Sequence, residues 1–242
     1  MSYLVLLPHC DDEYFLSLFL KKWRVEEKQV SFVFIIDHKR EDRRRESTRF
    51  LTDMGFSSES ILFLSDEMSV LDGQLYQKIP EVIEVLKPKL EGVQRVYTTS
   101  WEGGHHDHDA LAWIVQQLTE DNKSIEKWFF STYNGATTIG PFFSVNRPIT
   151  GSILNLEFES FRSRFDVVSH YRSAFEYYPS QTKTWLGLGP SYLWNQLINM
   201  RQSTFRMRDI LLDQTPHDGV PLYERHGRVT WSEMKAEIGR SV

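Results

Sequence analysis

The sequence is poor in several things that would each have pointed elsewhere. It has a single cysteine, Cys10, so no intramolecular disulfide can form. It contains no apolar run near the 18 or so residues needed to span a bilayer. The apolar stretch Tyr3–Leu7 is far shorter than the core of a secretion signal and runs straight into Pro8 and His9, so it reads as a strand. Positive charge is in deficit too. A formal net charge of -5 gives no general attraction to phosphate backbones or anionic lipid, and a nucleic-acid role would need a local basic patch. Missing as well are glycines after the first strand, which a dinucleotide site needs for close approach to pyrophosphate. These absences together predict a soluble chain in a reducing, cytoplasmic compartment, with neither a nucleic-acid partner nor a transmembrane segment.

What is present suffices for a core: 40% apolar residues, among them 16 Phe and 7 Trp, in 242 residues, a length suited to one sizeable domain. Short apolar, β-branched or aromatic runs at Tyr3–Leu7, Ser31–Ile36, Ile61–Leu64, Arg95–Thr99 and Trp128–Tyr133 read as strands. Helical spacing lies between them, over Glu13–Trp23, Arg43–Met54, Gln74–Leu86 and Asp109–Leu118. Strands that are continuously apolar and alternate with helices predict an α/β, Rossmann-like, mostly parallel sheet with helices on both faces. Beyond a Gly/Pro/Asn-rich stretch at Asn134–Gly151, helical runs are expected over Glu157–Phe175 and Ser191–Leu212, followed by an ordered tail with turn signals at His217-Asp218-Gly219 and His226-Gly227. The expected organisation is a domain over 1–181 and a helical, turn-rich extension over 182–242 packed on it.

Two polar clusters fall at predicted carboxyl ends of strands, where ligands bind in such sheets. The first, Pro8-His9-Cys10-Asp11-Asp12-Glu13, crowds three carboxylates into one turn, and their mutual repulsion is relieved directly by a divalent cation. The second, Gly103-Gly104-His105-His106-Asp107-His108-Asp109, opens a helix and adds three imidazoles. Two nitrogens and one carboxylate, with a position left for water, form a ligand set typical of catalytic zinc, and His9, Asp12 and His108 would supply it. Each cluster alone also reads as a helix cap or a surface pair; their convergence in one crevice is what favours a metal.

The paired turns resemble those of the PIG-L/LmbE-like de-N-acetylases, a strand followed by a His-Pro-Asp-Asp-Glu-like turn and a later His-Pro-Asp-His-like turn. Supporting matches are Arg43-x-x-Glu46 with Gly55 at the helix end, Asp72-Gly73-x-Leu75 and Tyr178-Pro179-Ser180-Gln181, so that the resemblance spans about Ser2 to Gln181. It implies that His9, Asp12 and His108 bind zinc or another divalent metal, that Asp11 is the general base toward the attacking water, and that His105 is the general acid or oxyanion stabiliser. It further implies a small-molecule substrate, an amino sugar or its conjugate, that loses an N-acetyl or other N-acyl group. A basic run from Lys39 to Arg49 would favour a nucleotide- or lipid-linked sugar if it faced the crevice, and otherwise is a solvated helix face. Arg43 and Asp72 match positions near the substrate, Trp101 and Glu102 are candidate sugar-stacking and hydroxyl-binding groups, and His106 is an extra candidate contact. Cys10 and His106 stand where the family has proline; Cys10 is read as a packing residue. A zinc amidohydrolase acting on a non-sugar amide and a catalytically inactive sugar-binding homologue are the alternatives, and homo-oligomerisation is left open.

Overall fold

A computed structural model describes residues 1–36, 40–139, 142–149, 157–162, 167–199 and 201–240, leaving aside the side chains of 137–139, 142–143, 158, 161–162, 196–199 and 201. Lys39, the first residue of the basic run, lies outside the described residues. In chain order the first half reads β1 (Ser2–Leu7), α1 (Ser17–Val25), β2 (Gln29–Phe34), α2 (Glu41–Asp53), β3 (Ile61–Phe63), α3 (Ile79–Leu86), β4 (Arg95–Thr99), α4 (His106–Leu118) and β5 (Glu126–Phe130). The second half follows with β6 (Tyr133–Ile139), β7 (Phe142–Val145), β8 (Phe158–Arg162), α5 (Val167–Tyr177), α6 (Thr182–Asn199), β9 (Arg201–Phe205), α7 (Leu222–Arg225) and α8 (Trp231–Arg240).

The central sheet has the order β3-β2-β1-β4-β5-β9-β8. Its first five strands are parallel, as expected of continuous apolar runs joined through helices. Strand β9 then pairs antiparallel with β5, and β8 with β9. Alternation along each strand divides the core. Leu4, Leu6, Val33 and Val96 face α3, α4 and the C-terminal segment. Tyr3, Val5, Leu7, Phe32, Phe34 and Tyr97 face the layer of α1, α2, α5 and α6. Helices thus cover both faces, and the tail is part of the hydrophobic core: Tyr223, Val229, Met234 and Ile238 are buried in it. No helix among the described residues is long and apolar enough to cross a membrane.

Two expected helices are partly strand. Among the described residues of Glu157–Phe175, those from Val167 are helical and Phe158–Arg162 is the edge strand β8. Of Ser191–Leu212 the helix ends at Asn199, and Arg201–Phe205 is β9, an inner strand of the sheet rather than part of a purely helical extension. Hydrogen bonding to an open sheet edge, that of β5 for β9 and that of β9 for β8, outweighs local helical spacing in both cases.

Strand order reverses between β1 and β4, which pair with each other while their neighbours run outward to either side. Such a switch point leaves a crevice beyond the carboxyl ends of the two strands. The two polar clusters are the segments that leave those ends.

Candidate metal centre and active site

After β1 the chain turns sharply. Asp11 adopts φ 100°, in the left-handed region that aspartate tolerates better than most residues, and a short 3-10 helix then begins at Asp12. Glu13 fixes this turn: it is fully buried, accepts the Asp11 backbone N–H at 2.9 Å through Oε2 and accepts the Tyr178 hydroxyl at 2.8 Å through Oε1. After β4 the second turn needs its glycines. Gly103 has φ +68°, and a Cβ on Gly104 would lie 1.9 Å from the Tyr133 carbonyl oxygen. Buried Asp109 accepts the backbone N–H groups of Glu102 and Gly103, bending the chain into α4, where acidic residues in the first turn suit the helix dipole.

The turns place three acceptor atoms in a near-equilateral triangle. His9 Nδ1 is 3.2 Å from His108 Nε2, and Asp12 Oδ2 is 3.3 Å from each. The remaining ring nitrogens determine where the protons are. His108 Nδ1 lies 2.9 Å from Thr132 Oγ1, whose own hydroxyl donates to Glu102, so this ring nitrogen carries the N–H. His9 Nε2 lies 3.3 Å from Asp107 Oδ2 and 3.4 Å from Asp72 Oδ1, carboxylates that can only accept. With His9 neutral, the facing nitrogens of both rings carry lone pairs; burial opposes a charged His9, but its contacts with Asp107, Asp12 and Asp72 raise it well above the usual imidazole range while no cation is there. A cation can take the place of that proton among the three atoms, whose spacing matches the roughly 3.3 Å edge of a tetrahedron with zinc bond lengths of about 2.0–2.1 Å. The residues present fit a divalent metal.

Asp107 extends this arrangement. It is fully buried and also accepts the N–H groups of Gly73 and Leu75, at 2.7 and 3.1 Å. Although burial alone would raise its carboxyl, the His9 hydrogen bond and the neighbouring rings hold it well below the usual carboxylate range, so it stays ionised against the His9 N–H. A carboxylate behind a ligating imidazole orients the ring and strengthens it as a donor. His9, Asp72, His105 and Asp107 also lie close enough to form a second possible donor set, but both Asp107 oxygens already hold backbone N–H groups.

A cavity of about 170 Å³ opens over the triangle and is lined in part by Asp11, Arg43, Asp72 and His105. Arg43 Nη2 donates to the Cys10 carbonyl at 2.6 Å and to Asp11 Oδ1 at 3.1 Å. Burial pushes the Asp11 carboxyl up to about 7, with Arg43 opposing and Asp12 adding to the shift. His105 is held well below the usual imidazole range by burial and then by His9. Each weaker motif of the resemblance also reaches this region. Glu46 accepts the Ser180 N–H at 2.9 Å, Gln181 lines the cavity, and Gly73 brings Asp72 to its edge.

Three expected substrate contacts fall elsewhere. Trp101 is buried in the core edge-on to Trp231, at 5.6 Å between ring centroids, because the chain leaving β4 turns its side chain inward; it does not stack on anything in the cavity. Glu102 is buried beneath the site, accepting from Ser131, the Thr132 backbone and Asn134, and so braces the turn instead of presenting a hydroxyl-binding carboxylate. His106 is turned away toward the Gly73 carbonyl, 3.2 Å from its Nε2, and flanks His105 at 4.5 Å without lining the cavity. Cys10 packs among apolar residues, and burial pushes its thiol well up, which keeps it protonated as a packing residue should be. The expectations did not include Thr132 and Tyr133 beside His108, Leu188 in the wall, or Arg228 at the rim. Only the His226-Gly227 turn signal marked the last of these.

The sheet and this cluster define an α/β protein with a candidate divalent-cation centre at its switch point. Residues 4–119 match the family model described as PIG-L, GlcNAc-PI de-N-acetylase. No curated protein matches it in sequence. Among solved structures it is similar to a deacetylase of the teicoplanin biosynthesis pathway, with 14% identity over 87% of this chain and 100% of that one and a TM-score of 0.63. A zinc-inhibited form of teicoplanin deacetylase Orf2 compares at 14% identity and a TM-score of 0.62, with the same coverage. The N,N'-diacetylchitobiose deacetylase from Pyrococcus horikoshii compares at 17% identity, over 86% of this chain and 83% of that one, with a TM-score of 0.56. At such identities the likeness speaks to the fold.

Proposed function

We propose that this protein is a metal-dependent amide hydrolase that removes an N-acyl group, N-acetyl foremost, from an amino sugar or its conjugate. The observation that carries this reading is the close triangle of His9 Nδ1, His108 Nε2 and Asp12 Oδ2 at the floor of an open cavity, with Asp11 beside it. The family-model match over residues 4–119 and the deacetylase names of the similar structures support the amide and the sugar. His9, Asp12 and His108 would hold the ion, and a divalent cation there supplies Lewis acidity and eases deprotonation of water. Zinc is the first candidate from the donor set, although one similar structure is described as zinc-inhibited.

The chain's own residues then divide the proton work. Asp11, whose carboxyl burial brings near neutrality, takes a proton as the water oxygen adds to the acyl carbon. Arg43 holds Asp11 in place through Oδ1. His105 on the cavity wall stands as general acid or oxyanion stabiliser, and the proton that Asp11 takes from water can pass to the departing amine as the C–N bond breaks, giving a carboxylic acid and a free amino group. Asp72, half-exposed at the mouth, is offered as a hydroxyl acceptor for the sugar. Residues 1–181 would supply the metal ligands, base and acid, with 182–242 packed on them and completing the cavity wall.

The test is amine release by the metal-loaded protein from a panel of N-acetylglucosamine conjugates: free sugar, glycoside, nucleotide-linked and lipid-linked. Turnover of at least one is expected. Silence across the panel together with hydrolysis of simple N-acyl amino acids would favour the non-sugar alternative. The inactive-homologue alternative is disfavoured because the residues proposed as base and ligands are all present.

A further inference from the structure

At the rim, the hydrogen-bond pattern is the reverse of that on the floor. His105 caps α4 by accepting the Asp107 backbone N–H on Nδ1, at 3.2 Å. A neutral imidazole has one lone-pair nitrogen and one N–H, so the proton is then on Nε2. That atom lies 3.0 Å from Nη1 of Arg228, a group that can only donate. Two N–H donors thus meet at hydrogen-bonding distance with no acceptor between them. The Arg228 guanidinium meets no carboxylate among the described residues, whereas Arg43 at the same cavity is engaged by Asp11 and the Cys10 carbonyl. Nor is its position accidental. The Arg228 backbone N–H donates to the Tyr223 carbonyl at 3.0 Å, buried Tyr223 and Val229 anchor the chain on either side, and the Leu222 N–H donates to the Gly103 carbonyl at 2.7 Å, joining this segment to the turn that carries His105.

We propose that His105 Nε2–H and the Arg228 guanidinium together form an oxyanion-binding pair, and that the oxygen they lack is the acyl oxygen of the substrate. The inference rests on the hydrolase reading above. As water adds to the acyl carbon, the carbonyl electron pair moves onto this oxygen, and the two donors meet the developing charge. When the pair returns to carbon, the C–N bond breaks and the amine leaves with the proton that Asp11 took from the water. Arginine suits this role because its charge is fixed at every working pH. It also frees His105 from having to be cationic, since a neutral ring can donate to the oxyanion.

The experiment uses the metal-loaded full chain with Arg228→Ala and Arg228→Lys. The alanine variant should lose roughly 10- to 100-fold in kcat with KM changed much less, as loss of one rim-exposed donor to a developing charge implies. Arg228→Lys should recover part of the loss, and added guanidinium chloride should partly rescue the alanine variant but leave wild type unchanged. A second readout is independent of turnover: acetate, the expected product and a mimic of the charged oxygen, should bind roughly tenfold more weakly to Arg228→Ala by calorimetry. Wild-type kcat and wild-type acetate affinity in that variant would overturn the proposal. So would a rise confined to KM, which would make Arg228 a ground-state contact, or a kcat loss that neither Lys nor guanidinium relieves. Arg228-dependent acetate binding without amine release from any N-acyl sugar would leave the pair standing and remove the deacylase reading.

Discussion

The floor and the rim of this cavity hold opposite excesses. On the floor three ligand atoms face one another within 3.3 Å; at the rim two N–H groups face one another at 3.0 Å. On the buried floor a polar group without its complement costs on the order of 1–3 kcal/mol, whereas at the rim Arg228 is open to solvent. Under the proposed function a cation would complete one side and a negatively charged oxygen the other. A site with both deficits next to each other is preorganised for a reaction that develops negative charge beside a Lewis acid. The contrast also separates rigid from adjustable parts, since the floor is braced by Asp107, Thr132 and Glu102 whereas Arg228 is exposed.

The largest effect should come from emptying the floor. His108→Ala should lose the metal, expected at about one ion per wild-type chain by elemental analysis, and with it all but about a thousandth of the activity. Retained stoichiometric metal would take His108 out of the ligand set. Next, Asp11→Asn should keep the ion yet slow amide hydrolysis by about 10²- to 10⁴-fold, since it removes only the proton acceptor; near-normal turnover would refute that role. Asp107→Asn should act more gently, weakening metal affinity about 10- to 100-fold in a chelator competition. If affinity instead stayed unchanged, Asp107 would be a backbone clip for Gly73 and Leu75 and nothing more.

The smallest effects lie away from the cavity. Trp101→Ala should cost about 3 kcal/mol in denaturant unfolding as a core truncation, with KM untouched in whatever folds; a selective rise in KM would restore a sugar contact. His170 gives a pH test. Burial, helped by Lys21, holds its imidazole down to about 4 from an ordinary 6.5, so it stays neutral when folded but takes up a proton when unfolded. Its contribution is present above about pH 6.5 and is lost as pH falls toward 4, up to about 3 kcal/mol in all. His170→Gln should flatten that part of the stability profile; an unchanged slope would show that other groups set it.

How far these features could be read beforehand depends on where their hydrogen bonds go. Strands β1, β2, β4 and β5 were legible because most of each is buried, and burial favours an apolar run; the edge strand β3 was read from Ile61-Leu62-Phe63 although Leu62 is exposed. Strand β9, Arg-Gln-Ser-Thr-Phe, carries no such run; its pairing with Phe129 and Phe130 and with β8 makes it a strand, and that is information held by its neighbours. The floor could be guessed from residue type, since few structural purposes bring so many carboxylates and imidazoles to strand ends. Trp101 and Glu102 sat in the right segment with the wrong orientation, because the segment reverses at Gly103 and Gly104 and only the fold tells which side chains turn inward. Arg228 was beyond reach: its approach to His105 spans 123 positions and is set by how Tyr223 and Val229 are buried.

That last contact bears on how the molecule comes into being. His9 and His108 precede Arg228 in the order of synthesis, so the residues of the cavity's floor are made before the residue of its rim. A chain ending before the tail would carry the floor residues yet lack both Arg228 and the core residues Tyr223, Val229, Met234 and Ile238, so the last stretch to be translated completes the rim and the packing in one step.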